Sequence, residues 1–231
     1  MTPLQTLWFA QLKQHRAIAV IRSNHWQTGL KMAETAIAGG LRLIEITWNS
    51  DQPDRLITLL RDRFPHCHIG TGTILNPQDL HRAIAAGAEF AFSPHSDPQL
   101  VEIAHSAGIP MVLGAMTPTE IVQAWGAGSD GVKVFPIKSV GGTQFIQCLQ
   151  APLGHIPLIP TGGVTLENSP DFIQAGAIAV GLSSSLFPPT DLAQNNWAAL
   201  ITHIHQHHPR HWSSVIKKRS PTKQAIATIS N

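Results

Sequence analysis

Two ionisable residues of this 231-residue chain stand each between apolar neighbours, and they are the ones best placed to do chemistry. Lys133 sits in Gly131-Val132-Lys133-Val134-Phe135-Pro136, and Glu45 in Leu43-Ile44-Glu45-Ile46-Thr47. Side chains alternate between the two faces of a strand. If Val132 and Val134 face a covering layer, Lys133 and Phe135 face the other side. The same parity sends Ile44 and Ile46 outward and Glu45 inward, so an amine and a carboxylate project into one confined interior. Two readings of such a pair stay open. One is a buried ion pair, which is costly to desolvate and often no better than apolar packing. The other is an amine whose pKa is lowered by burial, a neutral nucleophile able to form a Schiff base with a ketone, with Glu45 moving protons.

Glycine-bearing turns suggest where an anionic substrate would lie. Pro160-Thr161-Gly162-Gly163 and Gly181-Leu182-Ser183-Ser184-Ser185 each follow an apolar run. Exposed backbone N–H groups in such turns can bind phosphate, although either turn alone could simply reverse the chain. Gly70-Thr71-Gly72-Thr73 allows close backbone approach and offers the Thr73 hydroxyl to a carboxylate. Arg22 has a guanidinium suited to carboxylate or phosphate, with a rim salt bridge as the plain alternative. Pro94 and Phe135 suit an apolar wall over a ketone, or ordinary core packing. Thirteen histidines raise the question of a metal. The tightest cluster in the body, His66-Cys67-His68, falls at the start of a strand, where barrels place residues for stability, so no metal site is expected there.

The elements that must position these residues follow a repeat. A helical stretch closes at glycine, as at Gly39-Gly40, Gly87, Gly108, Gly126-Ala127-Gly128 and Gly176, and an apolar run starts within a few residues. With weaker joints at 65–67 and at Gly154, the stops recur roughly every 20–26 residues, the length of one strand plus one helix. Eight strands are predicted, at 17–21, 41–47, 68–71, 89–92, 110–113, 131–135, 157–159 and 178–181. Regular β–α alternation at this length predicts a single-domain (β/α)8 TIM barrel over residues 1–206. A doubly wound sheet is disfavoured because Ile21-Arg22-Ser23-Asn24, and not a GxGxxG turn, follows the first strand. A last helix is expected over 192–206, then a basic, His-rich tail, 207–231, without helical period and expected to be mobile.

Composition narrows the function classes. Hydrophobic residues make up 43% and charged residues 13%, which suits a large core and excludes a disordered chain. The net charge is +2, but all five basic residues of 201–231 lack acidic company there, leaving the body at −3. A nucleic-acid face is therefore not expected. Two cysteines cannot make a disulfide framework, and no apolar run approaches the ~20 residues of a membrane span. With no signal-like start in the first sixteen residues, a cytoplasmic protein is expected.

Taken in order, Ile44-Glu45-Ile46-Thr47, Ile69-Gly70-Thr71-Gly72-Thr73, Phe92-Ser93-Pro94-His95, Met116-Thr117-Pro118-Thr119-Glu120, Val132-Lys133-Val134-Phe135-Pro136, Pro160-Thr161-Gly162-Gly163-Val164 and Val180-Gly181 resemble the motif series of the 2-keto-3-deoxy-6-phosphogluconate (KDPG) aldolases, a family that includes 4-hydroxy-2-oxoglutarate (KHG) aldolase activity. The resemblance runs from about residue 7 to 205. It implies a class I aldolase that cleaves the phosphorylated keto acid to pyruvate and glyceraldehyde 3-phosphate, with Lys133 as Schiff-base lysine and Glu45 as general acid/base. It further implies that Thr73, Pro94 and Phe135 hold the pyruvate half and Thr161, Gly162, Gly163 and Ser184 the phosphate. Trimeric assembly, and no metal or organic cofactor, belong to the same implication. There are departures. Asn49 stands where many members carry arginine, and Arg22 is expected to take over anion binding, as in members with arginine at the end of strand one. Asn49-Ser50 resembles the phosphogalactonate branch and Pro160-Thr161-Gly162-Gly163 the phosphogluconate branch, leaving the C4 epimer open. Ser183 replaces a usual glycine and Lys138 a usual acidic residue beside the phosphate. The rivals are a barrel isomerase or synthase in which Lys133 only neutralises charge, and a non-catalytic sugar-phosphate sensor.

Overall fold

The computed structural model describes residues 2–212. Eight parallel strands form one barrel: β1 (Ala17–Ile21), β2 (Leu43–Thr47), β3 (His68–Gly72), β4 (Ala91–Phe92), β5 (Met111–Ala115), β6 (Val132–Val134), β7 (Leu158–Pro160) and β8 (Val180–Leu182). Their order is β7-β6-β5-β4-β3-β2-β1-β8, and a bridge between Thr161 and Gly181 joins the two ends. This is the single-domain (β/α)8 fold read from the repeat, and each of the eight expected strands lies within three residues of its predicted bounds.

Helices α1 (Pro3–His15), α2 (Trp26–Ala38), α3 (Pro53–Arg63), α4 (Pro77–Ala85), α5 (Pro98–Ser106), α6 (Pro118–Gly126), α7 (Thr143–Leu153), α8 (Ser169–Gln174), α9 (Pro189–Ala193) and α10 (Trp197–Gln206) accompany them. Four begin with a capping side chain followed by proline, Thr2-Pro3, Asn76-Pro77, Asp97-Pro98 and Thr117-Pro118, whose oxygens accept backbone N–H groups of the first turn. Gly87 and Gly108 follow α4 and α5 with φ of +94° and +74°, the left-handed conformation that stops a helix.

The core divides as strand parity requires. Ile44, Ile46, Val132 and Val134 belong to the apolar layer between strands and helices. Ile18, Val20, Leu43, Phe90, Phe92, Val112 and Ile159 fill the interior. Helix α1, absent from the sequence reading, closes the interior at the end where strands begin. Trp8, Phe9 and Leu12 are buried there, the Trp8 ring lies 5.1 Å from Phe90, and its indole N–H donates to the Asp130 carbonyl just before β6. Its start was legible as a capping box, Thr2 and Gln5 bonding each other's backbone N–H.

Two boundaries differ from expectation. The single helix expected over 192–206 is two, because Asn195 takes φ +53°, a left-handed turn that asparagine tolerates, and α10 starts afresh at Trp197. Residues 207–212 pack on the barrel: the His208 ring bonds the Gly40 carbonyl at 2.9 Å, and Trp212, 3% exposed, donates to the His207 carbonyl at 2.8 Å. The expectation for 213–231 lies outside the described residues. Among those described, no helix is long and apolar enough to cross a membrane. Because Trp212 fills a buried position, Trp212→Ala in the full chain should cost about 3–5 kcal/mol, measured by thermal or urea unfolding; an unchanged midpoint would mean that 207–212 does not anchor to the barrel.

Candidate active site

Lys133 is the central residue of β6, 5% exposed, and Glu45 the central residue of β2, 2% exposed. Both point into the interior just above its apolar filling. The Lys133 Nζ lies 5.3 Å from the centre of the Phe135 ring and 6.0 Å from that of Phe92. Between β2 and β6 the wall is kept clear by glycines. A Cβ on Gly72 would run into the Glu45 carboxyl group, and one on Gly114 would strike the Pro94 backbone. Gly72 is therefore what allows Glu45 to lie along the wall, a dependence that the motif around it did not disclose.

Glu45 is not held in the ordinary way of a buried carboxylate. Its Oε1 has no hydrogen-bond partner, and among the described residues no carboxylate forms an ion pair with Lys133. Burial pushes the Glu45 pKa up, and the positive charges of Lys133 and Arg22 only partly offset this. Arg22 follows β1, and its guanidinium donates to the Thr73 hydroxyl at 3.4 Å. Thr73 itself has φ +59°, an uncommon conformation for a β-branched residue and one that clusters at functional sites. Arg22, Glu45, Thr73 and Lys133 thus come together at one end of the barrel, the end where strands finish.

Beside them opens a cleft of about 870 Å³, lined by Lys138, Gly162, Gly163, Ser183, Ser184 and Ser185 among others. Gly162 and Gly163 have φ of +87° and +93°, so their turn requires glycine at both positions. The Lys138 stem packs against Gly163, where an added Cβ would come within 2.6 Å of it. This places an exposed ammonium group at a cleft otherwise lined by backbone and hydroxyls. Thr161 is placed differently from expectation. It is buried below the turn, fills the space left by the missing side chain of Gly181, and its hydroxyl reaches only the Ile159 carbonyl at 3.5 Å.

The other expected residues also find places. Pro94 and Phe135 line a depression of about 320 Å³ together with His95, Met116 and Glu120. Phe135 lies one residue past β6, inward in parity yet 39% exposed, because the strand ends before it. Asn49 is exposed in the turn after β2, with no contact to the cleft, whereas its neighbour Ser50 is buried and bonds Thr47 and the Ser23 backbone. His66, Cys67 and His68 form no common ligand cluster among the described residues; Cys67 is buried, and His68 faces Glu89 at 3.9 Å.

The family model for KDPG and KHG aldolase matches residues 9–203. The chain belongs to this family. It is 32% identical to the 2-dehydro-3-deoxy-phosphogluconate aldolase of Dickeya dadantii, over 78% of this chain and 84% of that one. The solved structure of the KDPG aldolase from Legionella pneumophila, with pyruvate captured at low pH as a covalent carbinolamine, superposes with a TM-score of 0.79 at 26% identity, covering 87% of this chain and 97% of that one. A native KDPGal structure gives a TM-score of 0.72 at 28% identity, with 82% and 94% covered. As an aldolase of the KDPG/KHG family the protein is a carbon–carbon lyase, and the family acts on small phosphorylated keto acids.

The raised pKa of Glu45 has a definite sign for stability. A carboxyl group whose folded pKa lies above its unfolded value binds its proton more tightly when folded. It favours folding at low pH and opposes it as pH rises through the unfolded value, near 4.3 for glutamate, to the raised one. Glu45→Gln should therefore raise the Tm at pH 8 relative to wild type, with a smaller gain at pH 4. A lower Tm at pH 8 would mean that the carboxylate is instead part of a stabilising ion pair.

Proposed function

We propose that the protein is a class I aldolase that cleaves 2-keto-3-deoxy-6-phosphogluconate to pyruvate and glyceraldehyde 3-phosphate. The observation that carries this reading is a buried lysine with no carboxylate ion-pair partner among the described residues, facing the same interior as a buried carboxylate with an unbonded oxygen. The Lys133 amine attacks the C2 ketone, and loss of water from the carbinolamine gives an iminium. Glu45, as carboxylate, takes the C4 hydroxyl proton directly or through water. The C3–C4 bond then breaks, its electrons pass into the iminium to form the pyruvate enamine, and glyceraldehyde 3-phosphate departs. Protonation of C3 and hydrolysis return the free lysine.

The neighbouring groups fit the two halves of that substrate. Arg22 and Thr73, bonded to each other at the rim, meet the carboxylate, with Pro94 and Phe135 as an apolar wall. The phosphate takes the cleft of Gly162, Gly163 and Ser184, with Lys138 as its cation. Thr161 supports this turn from beneath. The same enamine chemistry serves 4-hydroxy-2-oxoglutarate, which would yield pyruvate and glyoxylate without using the phosphate cleft. Homotrimeric assembly and cytoplasmic location complete the reading by family resemblance.

The galactonate epimer is the second reading, favoured by Asn49 and by the similarity to the KDPGal structure. It differs only in the direction of the C4 hydroxyl. Comparing kcat/KM for the two phosphorylated epimers decides, and a higher value for the galactonate epimer would displace the first reading.

Borohydride reduction in the presence of pyruvate should inactivate the enzyme and add a pyruvate-derived mass to the peptide containing Lys133. Labelling of another residue, or none in active protein, would sink the Schiff-base mechanism. Glu45→Gln should slow cleavage by roughly 10²–10⁴, an effect opposite in sense to its gain in stability. Lys138→Ala should raise KM for the phosphorylated substrate by about tenfold, as loss of one charge-assisted contact implies, and leave KM for 4-hydroxy-2-oxoglutarate unchanged. Equal effects on both substrates would remove Lys138 from the phosphate site.

A further inference from the structure

Outside the barrel interior, three side chains from two separate elements converge in a way that the aldolase reaction does not use. His203 in α10 and His207, which caps its C-terminus, are four residues apart, so their rings meet on one face, tilted at 48° with centroids 4.5 Å apart. Glu167 comes from the loop between β7 and α8, and its Oε1 lies 3.1 Å from His203 Nε2. One ligand atom from each of the three falls within 4.8 Å of the other two. The edges of a tetrahedral site with zinc–ligand bonds near 2.1 Å are roughly 3.4 Å.

The His207 ring is already held for ligation. Its Nδ1 lies 3.0 Å from the His203 carbonyl oxygen. A carbonyl can only accept, so Nδ1 carries the proton and the lone pair is left on Nε2. Metal-binding histidines are commonly oriented in this way, by donating their second ring N–H to a carbonyl or carboxylate. We propose that Glu167, His203 and His207 form a site for a divalent transition-metal ion of the zinc class, with water completing four-fold coordination. Imidazole nitrogens and one carboxylate suit zinc, nickel or copper and do not suit the all-oxygen preference of magnesium or calcium.

Such an ion would tie α10 to the β7–α8 loop. That loop is linked onward, because Asn168, next to Glu167, accepts from the Thr165 N–H at 2.8 Å and donates to the Gly163 carbonyl at 3.2 Å. The ion is therefore a clamp between the C-terminal helix and the segment that carries the glycine turn. The plain alternative is a protonated His203 paired with Glu167, which needs no metal.

The test uses full-length, chelator-stripped protein and Zn²⁺ in calorimetric titration, with Co²⁺ absorption reporting the coordination geometry. We expect one ion per chain, tetrahedral Co²⁺ bands, and a Tm about 5 °C higher at a hundredfold excess of Zn²⁺ over Kd. His203→Asn and His207→Asn should each weaken binding at least tenfold and abolish the metal-dependent Tm rise. Glu167→Gln should weaken it less, and His205→Asn, exposed on the same helix, should leave it unchanged. Binding that survives both His203→Asn and His207→Asn would overturn the site, since the other histidines would then be responsible. So would the absence of saturable binding. No readout here involves turnover, so a failure of the Lys133 mechanism would leave these results standing, and the reverse.

Discussion

The interior of a closed parallel barrel has no room for water-solvated charge, yet here it receives both a lysine and a glutamate. That constraint shapes what surrounds them. The carboxyl group of Glu45 fits only because Gly72 offers no Cβ, and it stays without a hydrogen bond on one oxygen. Such a group is expensive where it stands, since a buried polar atom without a partner loses its hydration for nothing in return. Desolvation raises its pKa, and the two nearby cations limit the rise. Carboxyl groups perturbed in this way by burial and by a nearby charge cluster at functional sites.

The rest of the barrel compensates for this local cost. Below the ionisable layer the interior is filled with Phe90, Phe92, Ile18, Val20 and Ile159, and α1 seals it with Trp8, Phe9 and Leu12. The outer layer is a second apolar shell between strands and helices. Polar side chains among the inward positions gather at the end where strands finish, and among the described residues this end is left open while α1 plugs the other. The plug and the active end are two consequences of one arrangement: a packed barrel must be closed where it does no chemistry.

The rim then has two chemically different sides. Arg22 and Thr73 stand on one side, where Thr73 holds a left-handed backbone that the surrounding structure must maintain. On the other side two consecutive left-handed glycines expose backbone at the cleft where Lys138 lies. The Lys138 cation adds positive charge to that cleft and weights it toward anions.

Local pattern alone determined a good deal. Alternation around Lys133 and Glu45 fixed which face each occupies, and glycine stops at a regular interval fixed eight β–α units, because both depend on backbone periodicity and not on distant contacts. The order of motifs carried the family. Three things were decided only by the tertiary structure. Whether lysine and glutamate would form an ion pair depends on how far apart strands β2 and β6 hold them around the barrel, which no spacing in the chain encodes. Thr161 lies beneath the Gly162–Gly163 turn and not in it, because its side chain takes the space that Gly181 leaves beside it where the two strand ends meet. Residues 207–212 stay attached because Gly40, remote in sequence, offers its carbonyl to His208. Periodicity reports the direction in which a side chain leaves the backbone, and only packing reports what it meets there.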